Sequence, residues 1–92
     1  MINAFVLICA DADAIADLAP RMAEIEGVRE SHSVGGSDAD IVVIVTVPEY
    51  EDVATVVTEH ISRVPGVRST TTLFAFRSFS QADAGDAFGD FG

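Results

Sequence analysis

The sequence predicts an α+β domain with element order β-α-β-β-α-β, a four-stranded antiparallel sheet carrying both helices on one face. Three observations predict it. Two runs, "INAFVLIC" at 2–9 and "IVVIVTV" at 41–47, are apolar at nearly every position, as central strands are. Each precedes a stripe at helical spacing: Ile15, Leu18, Met22 and Ile25 in the first case, Val53, Val57, Ile61 and Val64 in the second. Each stripe then ends in nearly the same words, "EGVR" at 26–29 and "PGVR" at 65–68. At an offset of 39 residues, Ile2 falls on Ile41, Leu18 on Val57, Met22 on Ile61, Ile25 on Val64, Gly27 on Gly66 and Val28 on Val67. The chain is two tandem βαβ units. One unit cannot cover its own sheet face, and two together give the split, ferredoxin-like arrangement.

The elements follow in order. Asn3 is the one polar residue in the first strand. "DADA" offers Asp11 or Asp13 as a helix N-cap. The first helix is expected over about 14–25, with Pro20 kinking or breaking it at a cost of roughly 3 kcal/mol. Gly27 closes the helix in a left-handed cap, and "VRESHSV" alternates as a half-exposed strand does. "GGSDAD" turns the chain into the β-branched third strand. Pro48, Glu49 and Glu51 open a second helix with charges suited to its dipole. "VPG" ends that helix, and "VRSTTTLFAF" is the fourth strand. Residues 1–77 form the domain, and 78–92, rich in Asp, Gly and Ala, read as a disordered tail. Within that tail Phe88 and Phe91 are the residues suited to docking on a neighbouring subunit.

The helices cover one sheet face only, yet the central strands are apolar at both parities. Phe5 and Leu7 alternate with Ala4, Val6 and Ile8, while Val42 and Ile44 alternate with Ile41, Val43 and Val45. An outer face of that kind calls for a partner, and a homodimer through the sheet, a dimeric αβ sandwich, is the expected solution.

Charge narrows the function. Fifteen acidic residues face five Arg and no Lys, a formal charge of −10 on 92 residues. Such a surface repels a phosphate backbone, so direct nucleic-acid binding is not expected. The apolar N-terminal run lacks a basic flank and is too short to span a bilayer, which takes about 20 residues. A cytoplasmic protein off the membrane is expected. The single Cys9 excludes a disulfide framework and reads as a buried small hydrophobe.

Chemistry-bearing motifs are sparse. His32 and His60 lie near Glu30 and Glu59, but these pairs read as pointing apart on their elements, with both histidines on the surface. No Ser has the GxSxG setting, and "GGSDAD" lacks the spacing and the Lys of a phosphate loop. No catalytic residue, metal or cofactor is indicated. Two polar stretches remain: the loop 35–40, with bare backbone and carboxylates that suit a small zwitterion, and the four hydroxyls of 69–72.

These stretches stand in a familiar order. "NAFV" near the start, the helix exit "I-x-G-V", the turn "D-I-V-V" and the closing "P-G-V-R-S-T-x-T" together resemble the C-terminal ligand-binding and assembly (RAM) domain of the Lrp/AsnC transcriptional regulators. The resemblance covers residues 1 to about 77. It implies a domain that dimerises through its sheet, assembles into octamers or decamers, and binds an amino acid between dimers. Carried over residue by residue, the ligand-binding positions it implies are Gly36, Asp38 and Asp40, with Ser69, Thr70 and Thr72 as partners. The turn departs from the family's usual Gly-x-x-Asp, because Gly36 and Asp40 are four apart and Ala39 stands where an aromatic is common. The chain starts at the first strand, without the family's helix-turn-helix. It therefore resembles the stand-alone members, which sense a ligand and modulate full-length regulators by association. Two other readings stand beside this one. One is a structural module without a ligand; the other is a small dimeric αβ-barrel enzyme with His32 as its base.

Overall fold

The computed structural model describes residues 1–81. Within them β1 (Ile2–Ala10), α1 (Ile15–Met22), β2 (Val28–Ser33), β3 (Ile41–Val47), α2 (Tyr50–Thr55) and β4 (Val67–Ala75) follow in the expected order. The four strands form one sheet in the order β2-β3-β1-β4, all pairs antiparallel. This is the ferredoxin-like α+β architecture, with β1 and β3 at the centre.

The core lies between the sheet and the helices. Ala4, Val6, Ile8 and Ala10 of β1 and Ile41, Val43, Val45 and Val47 of β3 are buried there, against Leu18 and Met22 of α1 and Val53, Val56, Val57 and Ile61 beyond. The repeat keeps its parity in space. Ile2 and Ile41 both point to the helix side, in register with Val47 and Ile8 respectively. β1 and β3 are therefore covered on one side by helices and on the other left half-open.

Both glycines of the repeated phrase adopt the left-handed conformation, Gly27 at φ 95° and Gly66 at φ 101°. Each packs against the other unit's helix. A Cβ on Gly27 would meet Val56 Cγ2 at 2.9 Å, and one on Gly66 would meet Ala14 Cβ at 2.8 Å. Each carbonyl also accepts from the other unit's strand: Thr46 N–H reaches Gly27 O at 2.9 Å, and Asp11 N–H reaches Gly66 O at 2.9 Å. The two copies interlock at these residues.

Local expectations differ in three places. Neither Asp11 nor Asp13 caps α1; Ala14 holds that position with no side-chain cap. β1 runs on to Ala10, and Asp11 is tied to Gly66, so the chain turns through a backbone bond from Ala14 N–H to Asp11 O before the helix starts. α1 runs through Pro20 but ends at Met22, three residues before Ile25. The ring has no N–H for the carbonyl of Ala16, so the helix loses support one turn after it begins. Beyond Thr55 the second helix widens into a π turn, Val56–His60, in which Ile61 N–H reaches back to Val56 O, and closes as a short 3-10 turn, Ile61–Arg63. The wider turn brings Val56 and Ile61, five residues apart, onto one buried side, where a regular helix would turn them about 140° from each other.

Residues Phe88 and Phe91 and most of the stretch read as a tail lie outside the described residues. Phe76 and Phe79, which follow β4, are exposed.

Candidate functional site

Asp40 organises the end of the sheet where β2 turns into β3. Its N–H donates to Ile8 O at 2.9 Å, and its carbonyl accepts from Val34 N–H at 3.0 Å. Its carboxylate Oδ2 accepts from Ala10 N–H at 2.9 Å. Asp40 thus closes the loop 34–40 at its base and pins it to the end of β1. The pin sits at a break in the ladder, because the β1–β4 register shifts between Cys9 and Ala10. A side-chain acceptor there satisfies a strand N–H at an irregular point of pairing.

Above this base the loop is open. A Cβ added at Gly35 or Gly36 would meet nothing within 4 Å, and neither glycine has positive φ. Their backbone is bare and accessible without being strained. Ala39 is buried, whereas Asp38 is exposed with its side chain 3.4 Å from the Ser37 hydroxyl, which donates to it.

β1 separates this loop from the start of β4, yet both stand at the same end of the sheet. Ser69 pairs with Cys9, Thr70 with Ile8 and Thr72 with Val6. Strand alternation divides the hydroxyls: Thr70 and Thr72 share the helix side with Ile8 and Val6, while Ser69 and Thr71 share the open side with Cys9 and Leu7. Cys9 is half-buried on that open side rather than in the core, and its thiol lies 3.5 Å from the carbonyl of Asp38. The open face therefore carries a row from Ser69 through Cys9 to Asp38 along one edge. Thr72 stands elsewhere, lining an apolar groove between α2 and β4 with Val53, Val57 and Phe74.

The centre of the open face is apolar. Phe5 pairs with Ile44 on β3 and Leu73 on β4, and Leu7 pairs with Val42 and Thr71. Phe5 keeps 37% and Leu73 50% of its surface exposed. Polar contacts frame it: Thr46 Oγ1 donates to Asn3 Oδ1 at 2.8 Å, and Glu30 meets His32. His32 and Glu30 do not point apart. They are two residues apart on a strand, so they share a face, with Nε2 3.0 Å from Oε1. That bond, followed by the one from Arg29 at 3.1 Å, holds the Glu30 carboxyl below its ordinary value. Among the described residues no three His, Cys, Asp or Glu side chains gather as a metal site.

The model of the Lrp/AsnC ligand binding domain family matches residues 3–84. The chain belongs to this family. Among solved structures, TTHA0845 from Thermus thermophilus is 38% identical, with a TM-score of 0.80 over 88% of this chain and all (100%) of its own. The hypothetical protein PHS023 from Pyrococcus horikoshii is 26% identical, at TM-score 0.75, over 85% of this chain and 93% of its own. The transcriptional regulator NMB0573 of Neisseria meningitidis, solved as a complex with L-Met, shares the fold at TM-score 0.74 and 16% identity; this chain covers 52% of it, with 86% of this chain aligned. None of the proteins of curated function matches the chain.

In this Lrp/AsnC domain the positions carried over from the family fall into separate environments. Gly36 and Asp38 are open, Asp40 is spent on the fold, Ser69 and Thr70 flank the end of β1 from opposite sides, and Thr72 lies in the groove. Cys9 joins them at the open face, a place that apolar neighbours in sequence had disguised. Replacing Asp40 by Ala leaves the Ala10 N–H without its acceptor, which costs about 1–3 kcal/mol. Urea unfolding is expected to show that loss, with Asp40→Asn recovering most of it. A loss below about 0.5 kcal/mol for Asp40→Ala would mean that the carboxylate does not anchor the loop.

Proposed function

We propose that this ligand-binding domain senses an amino acid and couples its binding to self-assembly, acting on transcription through association with full-length Lrp/AsnC regulators. The observation that carries this reading is the loop 34–40: its base is locked by Asp40 while Gly35 and Gly36 present bare backbone and Asp38 an exposed carboxylate that accepts from the Ser37 hydroxyl. Exposed backbone N–H groups suit the carboxylate of a zwitterion, and Asp38 suits its ammonium. Gly36, Asp38 and the pinned Asp40 supply one wall. Ser69 and Thr70, with Thr72 farther along β4, supply hydroxyls from a neighbouring copy. The apolar open face forms the homodimer, and dimers join into octamers or decamers that bring the two walls together. The role is regulatory rather than enzymatic, and the setting is the cytoplasm. Among the described residues no helix is long and apolar enough to cross a membrane.

Titration calorimetry against the twenty amino acids, with light scattering on the same samples, tests this. One amino acid, or a small chemically related group, is expected to bind with a change in assembly mass, and Asp38→Ala to weaken it about tenfold, as a charge-assisted contact requires. Flat responses to all twenty, with an unchanging oligomer, would sink the sensing role and leave an assembly module.

A further inference from the structure

Of the fifteen acidic residues, Glu30 alone lies in the four strands. It stands on β2, an edge strand, and pairing fixes its side of the sheet. Glu30 is opposite Ile44 and His32 opposite Val42, in line with Phe5 and Leu7 on β1. Apart from the loop at its end, the open face is therefore nearly free of carboxylate on a chain of charge −10. Two such chains repel wherever they bring unpaired carboxylates together, and interface centres are poor in charged residues. That charge pattern fits the open face to a second copy of this chain. An interface of ordinary size buries about 800 Å² per partner, a patch about 28 Å across, whereas four strands about 4.8 Å apart span only about 15–20 Å. A second copy stacked here covers β2 as well as the apolar centre, and Glu30 is carried in with it.

Both oxygens of that carboxylate are served from β2 itself. His32 Nε2 lies 3.0 Å from Oε1, and Arg29, the extra residue where the β2–β3 register shifts, donates to Oε2 at 3.1 Å. These contacts, His32 first, hold the Glu30 carboxyl below its ordinary value. It therefore stays charged through the range in which an ordinary imidazole changes its charge, near pH 6.5. The neighbours from β3 are Val42 and Ile44, and Asp40 at the head of that strand is bonded to the Ala10 N–H. The charged residues of α1, Asp17 and Arg21, belong to the helix side of β2.

Open to water, such a pair contributes little. Between stacked faces the water is gone. A protonated imidazole then makes a charge-assisted bond about twice as strong as a neutral one, and it adds a positive charge to each −10 chain. We propose that the Glu30–His32 pair is a pH switch on self-association: two copies that stack their open faces take up a proton at each His32, so the dimer tightens in acid. This rests on the sheet-face homodimer proposed above and adds its regulation. The gain is present below the range in which an imidazole titrates and is lost as pH rises through it.

The test is sedimentation equilibrium of the full chain over a dilution series, at about pH 6 and about pH 8 and one ionic strength. The dimer is expected to dissociate at about tenfold lower concentration at the acid pH. His32→Gln and Glu30→Gln should each dissociate equally at both pH values, with circular dichroism like the parent's. His60→Gln, altered on the second helix, should keep the tenfold difference. Equal dissociation of the parent at both pH values, or a difference that survives in His32→Gln, overturns the switch and leaves the homodimer standing. The mass of a single copy at every pH and concentration overturns the homodimer, and the switch with it.

Discussion

Gly66→Ala is expected to lower the unfolding free energy by about 2–5 kcal/mol. A left-handed conformation costs an L-residue about 1–2 kcal/mol, and overpacking a filled site costs about 1–3 kcal/mol more. Both apply, because Gly66 has φ 101° and its added Cβ would lie 2.8 Å from Ala14 Cβ and 3.2 Å from Leu18 Cδ1. The first of those neighbours is a Cβ fixed to backbone and cannot swing aside. Gly27→Ala meets the same φ penalty, but its nearest contact is the Val56 Cγ2 methyl at 2.9 Å, which a rotamer change can relieve. The loss at Gly27 should therefore be the smaller. Thermal unfolding reads the difference directly: a domain of this size loses roughly 4–8 °C per kcal/mol, so Gly66→Ala should melt at least about 8 °C below the parent. Gly36→Ala, at a site with open space and ordinary φ, is the control and should change stability by less than about 0.5 kcal/mol. Equal melting of the Gly66 and Gly36 variants would show that the repeated phrase is not the interlock of the two units.

That phrase also shows how far one sequence carries. The repeat at an offset of 39 residues contains the fold, since each strand, stripe and cap glycine recurs in order and β3 spans 41–47 as its β-branched run requires. The apolar residues of both parities in β1 and β3 likewise marked a face that the helices leave open. The Glu30–His32 contact is misread in the sequence as a pair pointing apart, although a separation of two on a strand fixes a shared side. Other features depend on pairing that no local pattern encodes. The register shift at Cys9/Ala10 decides that Asp40 serves the backbone, and the four hydroxyls of 69–72 look alike until alternation sends Ser69 and Thr70 to opposite faces. The π turn has no signal in "VVTEH", which reads as helix by stripe alone, and it shows only in the structure, where Val56 and Ile61, five residues apart, face one core.

The open face carries the second large effect. Leu7 stands near its centre, half-buried, with Val42 on one side and Thr71 on the other. If two copies stack these faces, each Leu7 loses the part of its surface still exposed, worth up to about 1 kcal/mol per side chain and hence about 1–2 kcal/mol per dimer. Leu7→Asp removes that gain and adds two carboxylates that must be desolvated together near the symmetry axis. The dimer should weaken at least about hundredfold, and at micromolar concentration light scattering should report half the parent mass. Folding should survive, because the substitution lies across the sheet from Val6, Ile8, Leu18 and Ile61 and touches none of the core between sheet and helices. Circular dichroism unchanged from the parent would confirm that the mass change is not unfolding. Glu59→Lys, a larger charge change on the exposed side of the second helix, should leave the mass as it was. A folded Leu7→Asp protein that keeps the parent mass would move the contact away from the sheet face. The loop 34–40 would then have to find its neighbour through an edge strand, and the two-wall amino-acid site would lose its geometry.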